Sequence, residues 1–195
     1  MKFSVITLAC LASFAATAYS HADANVLEQR DDDTFKSVLK RLNTDLGVFA
    51  QAVHDFVDIN DYYKVSGAGD TVIANLEIYV KEAKESTPLS EAGAADLKLP
   101  FEDLATTAKS IHDDFIAKKP ALERDSRCGV SHVYMLNITT VSGELVRAII
   151  ANSDPKVQDL IDDYTVDYMH YLAAITLWLR KPDCVDSWPP WDSDL

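Results

Sequence analysis

The carboxylates and histidines are the side chains of this sequence that could carry out acid–base or metal chemistry. Paired acids occur at Asp113–Asp114 and Asp162–Asp163. Adjacent residues on a helix point in different directions, so these pairs favour solvated helix faces over a catalytic dyad. The sequence contains no G-x-S-x-G elbow, no H-E-x-x-H pair and no glycine-rich phosphate loop. We therefore expect a protein that is not an enzyme and needs no cofactor.

The sequence also offers little to a metal ion. The stretch DINDYYKVSGAGD, residues 58–70, gathers acids and amides like a calcium loop. However, Tyr63 stands where an EF-hand needs glycine, and the terminal glutamate is missing. Among the histidines, His112 lies near the edge of an apolar helix face and could place a polar group at a cavity mouth. We expect no metal site.

The N-terminus and the charge bear on where the protein acts. Lys2 is followed by an apolar run over residues 5–14, too short to span a bilayer, and then by AATAYS, whose small residues suit cleavage after Ala18 or Ser20. This pattern predicts a signal peptide over residues 1–18 and a secreted protein, with no transmembrane segment. The formal net charge of −13 argues against nucleic acid and anionic membranes as partners.

Two cysteines remain once the signal peptide is removed, and an even pair in a secreted chain favours a disulfide. If the last two long helices form a hairpin that turns near Asp154, then Cys128 and Cys184 lie almost level at one end of it. We predict that they are bonded. Asn137, in the sequence NIT, is the candidate N-glycosylation site.

Apolar residues recur at helical spacing in about five segments, and no segment alternates like a strand. The fold predicted from this pattern is all-α, a single-domain bundle of about five mostly antiparallel helices. A short helical turn is also expected over residues 90–95. The expected long helices cover residues 34–60, from 70 or 71 to near Pro88, from near Pro100 to Pro120, 130–152, and from Pro155 to Pro182.

The third of these helices carries a narrow apolar stripe. Phe101, Leu104, Ala108, Ile111 and Phe115 follow one another at spacings of 3, 4, 3 and 4 residues. Such a stripe can belong to a fully packed core, or it can line a space that holds a ligand. The spacing alone does not distinguish these two structures.

Several motifs carry a family resemblance. The chain has the junction EQRDDD, the long first helix FKSVLKRLNTDLGVFAQAV, and the segment LPFEDLATTAKSIHDDFIAKKPAL with its cadence DLxxxxKSxxDxxIAKKP. From about residue 31 to residue 179, the sequence resembles the fungal hydrophobic surface-binding protein A family, which includes cell-wall galactomannoproteins. The cysteine pair and the tail CVDSWPPWDSDL depart from the family pattern.

The resemblance implies a secreted or wall-associated all-α domain that adsorbs to hydrophobic surfaces or holds a lipid such as a fatty acid. It also implies secreted lipolytic esterases as possible partners. On this interpretation the stripe faces a lipid-accessible interior together with apolar residues of other helices. The residues expected to line it are Leu42, Phe49, Phe101, Leu104, Ile111, Phe115, Leu145 and Tyr168.

The expected domain organisation is a signal peptide over 1–18, with cleavage as late as 20, and a flexible segment over 19–33. The helical bundle then covers 34–184, and an acidic tail covers 185–195. Trp188 and Trp191 in the tail suit either a packed cap or an exposed anchor. Two alternatives stay open: a structural or antigenic wall mannoprotein without a small-molecule ligand, and a secreted effector that acts through protein contacts.

Overall fold

The computed structural model describes residues 33–187, and over this range the chain forms helices, turns and one isolated bridge between Leu89 and Ser153. The predicted all-α fold is confirmed. Five helices are long and two are short. Their bounds are 33–54 for α1, Tyr62–Glu85 for α2, Glu91–Ala95 for α3, Lys98–Ala117 for α4, Lys119–Arg124 for α5, Cys128–Ala151 for α6 and Gln158–Trp178 for α7.

The long helices close into a ring. Helix α2 packs against α6, α6 against α7, and α7 against α4. Helix α1 lies between α2 and α4 and completes the ring. Tyr79 of α2 donates from its Oη to Asp45 Oδ2 of α1 at 2.8 Å, and Thr107 of α4 donates from its Oγ1 to Asn43 Oδ1 of α1 at 2.7 Å. Along the chain the long helices alternate in direction. Contacts that advance in the same order along both helices show that α1 runs parallel to α4 and that α2 runs parallel to α6: Asn43 meets Thr107 and Phe49 meets Phe115, while Tyr62 meets Ser131 and Ala83 meets Asn152.

The same spacing builds the inward face of every long helix. In α4 the buried positions follow one another every three or four residues, and the same spacing runs through the buried positions of α2, α6 and α7, where a few adjacent residues widen the buried face. This repeat keeps one stripe of each helix facing its neighbours and leaves the opposite side to solvent. In α2 the stripe consists of Tyr62, Val65, Gly69, Val72, Leu76, Tyr79 and Ala83.

The connection between α1 and α2 lies earlier than the sequence predicts. Helix α1 ends at residue 54 instead of 60, and α2 begins at Tyr62 instead of residue 70 or 71. The turn is made by Asp58, whose Oδ1 accepts a hydrogen bond from the Asn60 backbone N–H at 2.8 Å. The glycines of SGAGD, which the prediction places in the connection before this helix, lie inside α2.

Gly69 has a packing role inside that helix. A Cβ at this position would lie 3.0 Å from the Tyr134 ring of α6 and 3.5 Å from the Phe49 ring of α1. Glycine therefore lets three helices approach closely at one point. Gly67, one half-turn away, would meet nothing within 4 Å.

We expect Gly69→Leu to lower the free energy of unfolding by about 1–3 kcal/mol, because the new side chain overpacks a buried contact. Gly67→Leu is the matched control and should be neutral or stabilising by up to about 1 kcal/mol, since leucine favours a helix more than glycine does. Urea unfolding of both variants measures the difference. Equal stability of the two variants would contradict the close-packing role.

Two further helix ends differ from the prediction. Pro100 lies in the first turn of α4 as expected, but Pro120 lies in the first turn of α5, which follows α4 almost directly. Proline has no N–H to lose in a first turn, so it both ends one helix and begins the next. Helix α7 begins at Gln158 instead of Pro155, because Asp154 forms a turn in which its Oδ1 accepts from the Lys156 N–H at 2.9 Å.

Helix α6 is long and apolar enough to cross a membrane by length and composition alone. In this fold its buried stripe belongs to the core shared with α2 and α7. A core helix of a folded domain passes the same test of length and composition.

The C-terminal segment is fastened to the start of α6. Cys128 and Cys184 form a disulfide, as predicted, with their Cα atoms 5.6 Å apart. Asp186 caps α6, since its Oδ1 accepts from the Cys128 N–H at 2.8 Å and its Oδ2 lies 3.4 Å from the Gly129 N. Ser187 N–H donates to the Glu123 carbonyl of α5 at 2.9 Å. The expected signal peptide and the tail tryptophans lie outside the described residues.

Candidate ligand-binding interior

The interior of the helix ring is the candidate site. All eight residues expected to line it are buried, each at most 1% exposed, and they belong to one continuous apolar core. They come from four helices: Leu42 and Phe49 from α1, Phe101, Leu104, Ile111 and Phe115 from α4, Leu145 from α6, and Tyr168 from α7.

The stripe of α4 lies between two other helices. Its Phe115 ring packs against the Phe49 ring of α1 with centroids 6.2 Å apart. The helix as a whole packs against α7, which supplies Tyr168. The α4 stripe therefore faces the centre of the ring.

Helix α6 presents a different face from the one its hydrophobic residues predict. The apolar residues of this helix alone would place Val130, Val133 and Val141 inward, but Val133 is 53% exposed, and Val130 and Val141 are half-buried. Two serines, Ser131 and Ser142, occupy positions on the buried stripe, so apolar residues alone do not reveal this face of the helix. The main buried stripe consists of Cys128, Ser131, Met135, Ile138, Ser142, Leu145 and Ile149.

These serines give the interior a small number of hydroxyl groups. Tyr168 Oη donates to Ser142 Oγ at 2.8 Å, and Tyr62 Oη lies 3.0 Å from Ser131 Oγ. Both pairs are buried. Burial raises the pKa of Tyr168 above its ordinary value and raises the pKa of Tyr62 to about 12. Both phenols therefore stay protonated at neutral pH and can donate hydrogen bonds inside the ring.

The sequence prediction also left out the N-terminal end of α2. Tyr62 and Val65 are buried, but they precede the start expected for that helix. Phe56 is buried too and meets the Tyr62 ring edge-on, with centroids 5.9 Å apart. These residues close the ring at the end where α1 turns into α2.

His112 does not lie at the mouth of an internal cavity. Its side chain is 23% exposed, and its Nδ1 lies 3.1 Å from Asp113 Oδ1. The imidazole packs against the Tyr171 ring of α7, with centroids 6.0 Å apart. His112 is thus part of the outer contact between α4 and α7.

Surface clefts of the described residues include two that lie away from the predicted lining residues. The larger, about 570 Å³, lies where α2 and α6 end, and the smaller, about 310 Å³, lies beside the disulfide. None of the eight predicted lining residues borders either cleft. The larger is lined by Lys84, Glu144, Arg147, Ala148, Ala151 and Asn152, and the smaller by Gly129, His132, Leu179, Arg180, Lys181, Cys184 and Asp186.

Within residues 33–187, no three histidine, cysteine or acidic side chains come together as a metal site would require.

Solved structures with the same fold include two kinds of fungal lipid complex. The chain superposes on AFMP4P in complex with palmitic acid with a TM-score of 0.70, 17% identity, and coverage of 76% of this chain and 99% of that one. Ligand binding domain 1 of the Penicillium marneffei MP1 protein, complexed with arachidonic acids, gives a TM-score of 0.71, 16% identity, and coverage of 77% and 99%. Ligand binding domain 2 of the same protein, complexed with multiple arachidonic acids, gives a TM-score of 0.70 and 15% identity, and the superposition covers 76% of this chain and 96% of that one. These neighbours are ligand-binding proteins, and at such identities the likeness establishes the fold.

A comparison with curated protein sequences finds no match. The sequence profile of the family described as hydrophobic surface binding protein A, however, matches residues 33–151. This match covers more than half of the 195 residues, from α1 to the end of α6. The chain therefore belongs to the hydrophobic surface binding protein A family.

Proposed function

We propose that this protein is a secreted, non-catalytic lipid carrier that holds a fatty acid inside the helix ring. The observation that supports the proposal is the arrangement of five long helices around one continuous apolar core. Its structural neighbours with palmitic and arachidonic acids have the same architecture.

A ring of five helices has a wide centre. If neighbouring axes lie about 8–10 Å apart, a regular pentagon places its centre about 7–9 Å from each axis. Helical side chains reach only about 5–6 Å from the axis on average. The middle must therefore be filled by long side chains or by a ligand. Here the largest fully buried side chains include Tyr168, Phe49, Phe101 and Phe115.

The lining suits an acyl chain with a polar end. Each methylene moved from water into an apolar site gains about 0.8 kcal/mol, so a long acyl chain supplies a large driving force. Ser142, whose Oγ accepts from Tyr168, keeps its own O–H as a donor for a carboxyl group that would otherwise be buried without a partner. Because the interior is closed in this structure, uptake requires aromatic and leucine side chains to move aside.

In this proposal residues 1–18 act as a signal peptide, and the bundle over 34–184 is the lipid-binding domain. Asn137 is exposed on α6 and thus open to glycosylation. Secreted lipolytic esterases are candidate partners, since they share a hydrophobic substrate with a carrier of this kind.

A structural or antigenic wall mannoprotein without a small-molecule ligand is the second candidate. The exposed Asn137 favours it, because a glycan there would project freely into solvent. The complete burial of the eight interior residues also favours it, since a well-packed core leaves no site to fill.

The decisive experiment measures fatty-acid binding by displacement of a fluorescent fatty acid with palmitate. We expect saturable binding by the wild type and at least a tenfold loss in Leu104→Trp, because the indole occupies space at the centre of the ring. Leu99→Trp is the matched control on the same helix: Leu99 is 68% exposed, so binding should change less than twofold.

Native mass spectrometry of the secreted wild-type protein gives an independent readout, since a retained fatty acid appears as added mass. Thermal unfolding of Leu104→Trp shows whether the variant remains folded. Absence of saturable binding by the wild type would overturn the carrier proposal and leave the wall mannoprotein. Unchanged binding in a folded Leu104→Trp would place the lipid elsewhere.

A further inference from the structure

The smaller of the two clefts lies between the end of α7 and the start of α6, beside the disulfide. Its floor is apolar, because Leu179 and Cys184 line it and are each 1% exposed. Its edge carries two exposed cations, Arg180 and Lys181, which we call the cationic rim. Neither cation forms an ion pair within the part of the chain that the structure describes. The rim is therefore open to carboxylates from elsewhere.

The acid that lines this cleft is already engaged. Asp186 Oδ1 accepts from the Cys128 N–H at 2.8 Å, and its Oδ2 lies 3.4 Å from the Gly129 N. Its negative charge thus lies against the positive end of the α6 dipole. Asp186 caps the helix and leaves the cationic rim unpaired.

The described residues end next to the cleft. Asp186 borders it, and the Ser187 N–H donates to the Glu123 carbonyl at 2.9 Å. Eight further residues follow in the sequence, WPPWDSDL. An extended chain spans at most about 3.3–3.6 Å per residue, so Trp191 lies within about 14 Å of Ser187 and Asp192 within about 18 Å. These lengths are sufficient to reach a cleft that begins at the preceding residue.

We propose that the C-terminal segment WPPWDSDL folds back and occupies this cleft. The Trp191 indole lies on the apolar floor. Asp192 and Asp194 pair with Arg180 and Lys181 of the cationic rim. The cleft is separate from the interior of the ring, so this contact does not depend on whether a fatty acid is bound there.

Charge favours this segment as the occupant. The formal net charge of the chain is −13, so most of the surface repels an acidic segment, whereas the cationic rim attracts it. The order of residues also matches the cleft. In W-D-S-D an aromatic ring is followed by two acids, and the cleft combines an apolar floor with two cations at its edge.

Size and spacing select Trp191 for the floor. The cleft volume of about 310 Å³ is at the lower end of the range for ligand pockets, about 300–1,000 Å³, which suits a single aromatic side chain. Trp188 is followed by two prolines, which bring no charge to the rim. Those prolines favour an extended spacer of about 3.1 Å per residue, which carries Trp191 about 9 Å beyond Trp188.

The test measures how strongly acrylamide, a neutral quencher, reduces the fluorescence of Trp191 in the full chain. Trp178→Phe with Trp188→Phe makes Trp191 the only tryptophan, since the sequence contains three. In this background, Arg180→Gln with Lys181→Gln removes the cationic rim. We expect the quenching constant to rise at least threefold, because the indole leaves the cleft for solvent.

The other cleft supplies a matched control. Lys84→Gln with Arg147→Gln also removes one exposed lysine and one exposed arginine, at the opposite end of α6, and should change the quenching constant less than 1.3-fold, about the scatter of such a control. Asp192→Asn with Asp194→Asn is the reciprocal change and should match the rim variant. Combining the rim and asparagine changes should add little, since both remove the same contact.

An unchanged quenching constant in the rim variant would overturn the proposal, as would equal rises in the rim and control variants. So would a Trp191 that is quenched as strongly before unfolding in urea as after it. Protection that grows with protein concentration would place the segment in the cleft of a second copy and would also overturn it. Circular dichroism checks the fold of each variant. If the rim variant is unfolded, the asparagine variant decides, because its changes lie outside the described helices.

Discussion

Replacing Cys128 and Cys184 with alanine should lower the free energy of unfolding by about 4 kcal/mol. The disulfide joins residues 56 positions apart, and in the chain-entropy model a loop of this size restricts the unfolded chain by about that amount. The bond also ties the C-terminal segment to the first residue of α6. We therefore expect a large fall in both the urea midpoint and the melting temperature.

Reduction of the wild type supplies the chemical control. Dithiothreitol should lower the melting temperature of the wild type toward that of the double alanine variant and leave the variant unchanged. The unreduced mature wild type should yield no alkylated Cys128 or Cys184. A loss below about 1 kcal/mol would show that the unfolded chain is already compact near these residues.

Phe49→Ala should cost about 3–5 kcal/mol of stability, the range for a large aromatic side chain removed from a packed core. Phe49 is fully buried, packs against Phe115 of α4, and lies close to Gly69 of α2. Its loss therefore opens a cavity where three helices of the ring meet. Urea unfolding at fixed protein concentration measures the effect.

The neighbouring residue provides the control. Val48 is 60% exposed on the same helix, so Val48→Ala should change stability by no more than about 0.5 kcal/mol. Saturating palmitate adds a second readout, because a ligand that binds only the folded state raises its stability. A loss in Phe49→Ala no larger than that in Val48→Ala would contradict its place at the junction.

Helix number and type could be predicted from sequence because the apolar repeat is long and regular in each helix. The helix boundaries were predicted wrongly where glycine or proline, which often marks the end or start of a helix, has another role in the structure. Gly67 and Gly69 resemble a turn, but the structure uses Gly69 for close packing inside α2. Pro155 resembles the first residue of a helix, but the side chain of Asp154 holds it in a turn instead.

The candidate site was predictable only in part. The α4 stripe could be recognised because all its members are apolar, from Phe101 to Phe115. The inward face of α6 could not, because Ser131 and Ser142 occupy stripe positions and pair with tyrosines from other helices. Such pairing depends on tertiary neighbours, which hydrophobicity along one helix does not record.

The parallel arrangement of α1 with α4, and of α2 with α6, affects how the chain reaches this fold. Thr107 meets Asn43 across 64 residues, and Tyr62 meets Ser131 across 69. An up-and-down bundle instead places each helix against the one just before it. Loop closure must come before distant contacts are made, so high contact order slows folding. This chain is therefore expected to fold more slowly than an up-and-down bundle of equal length. Helix α1 cannot complete its contacts until α4 has formed and packed against it.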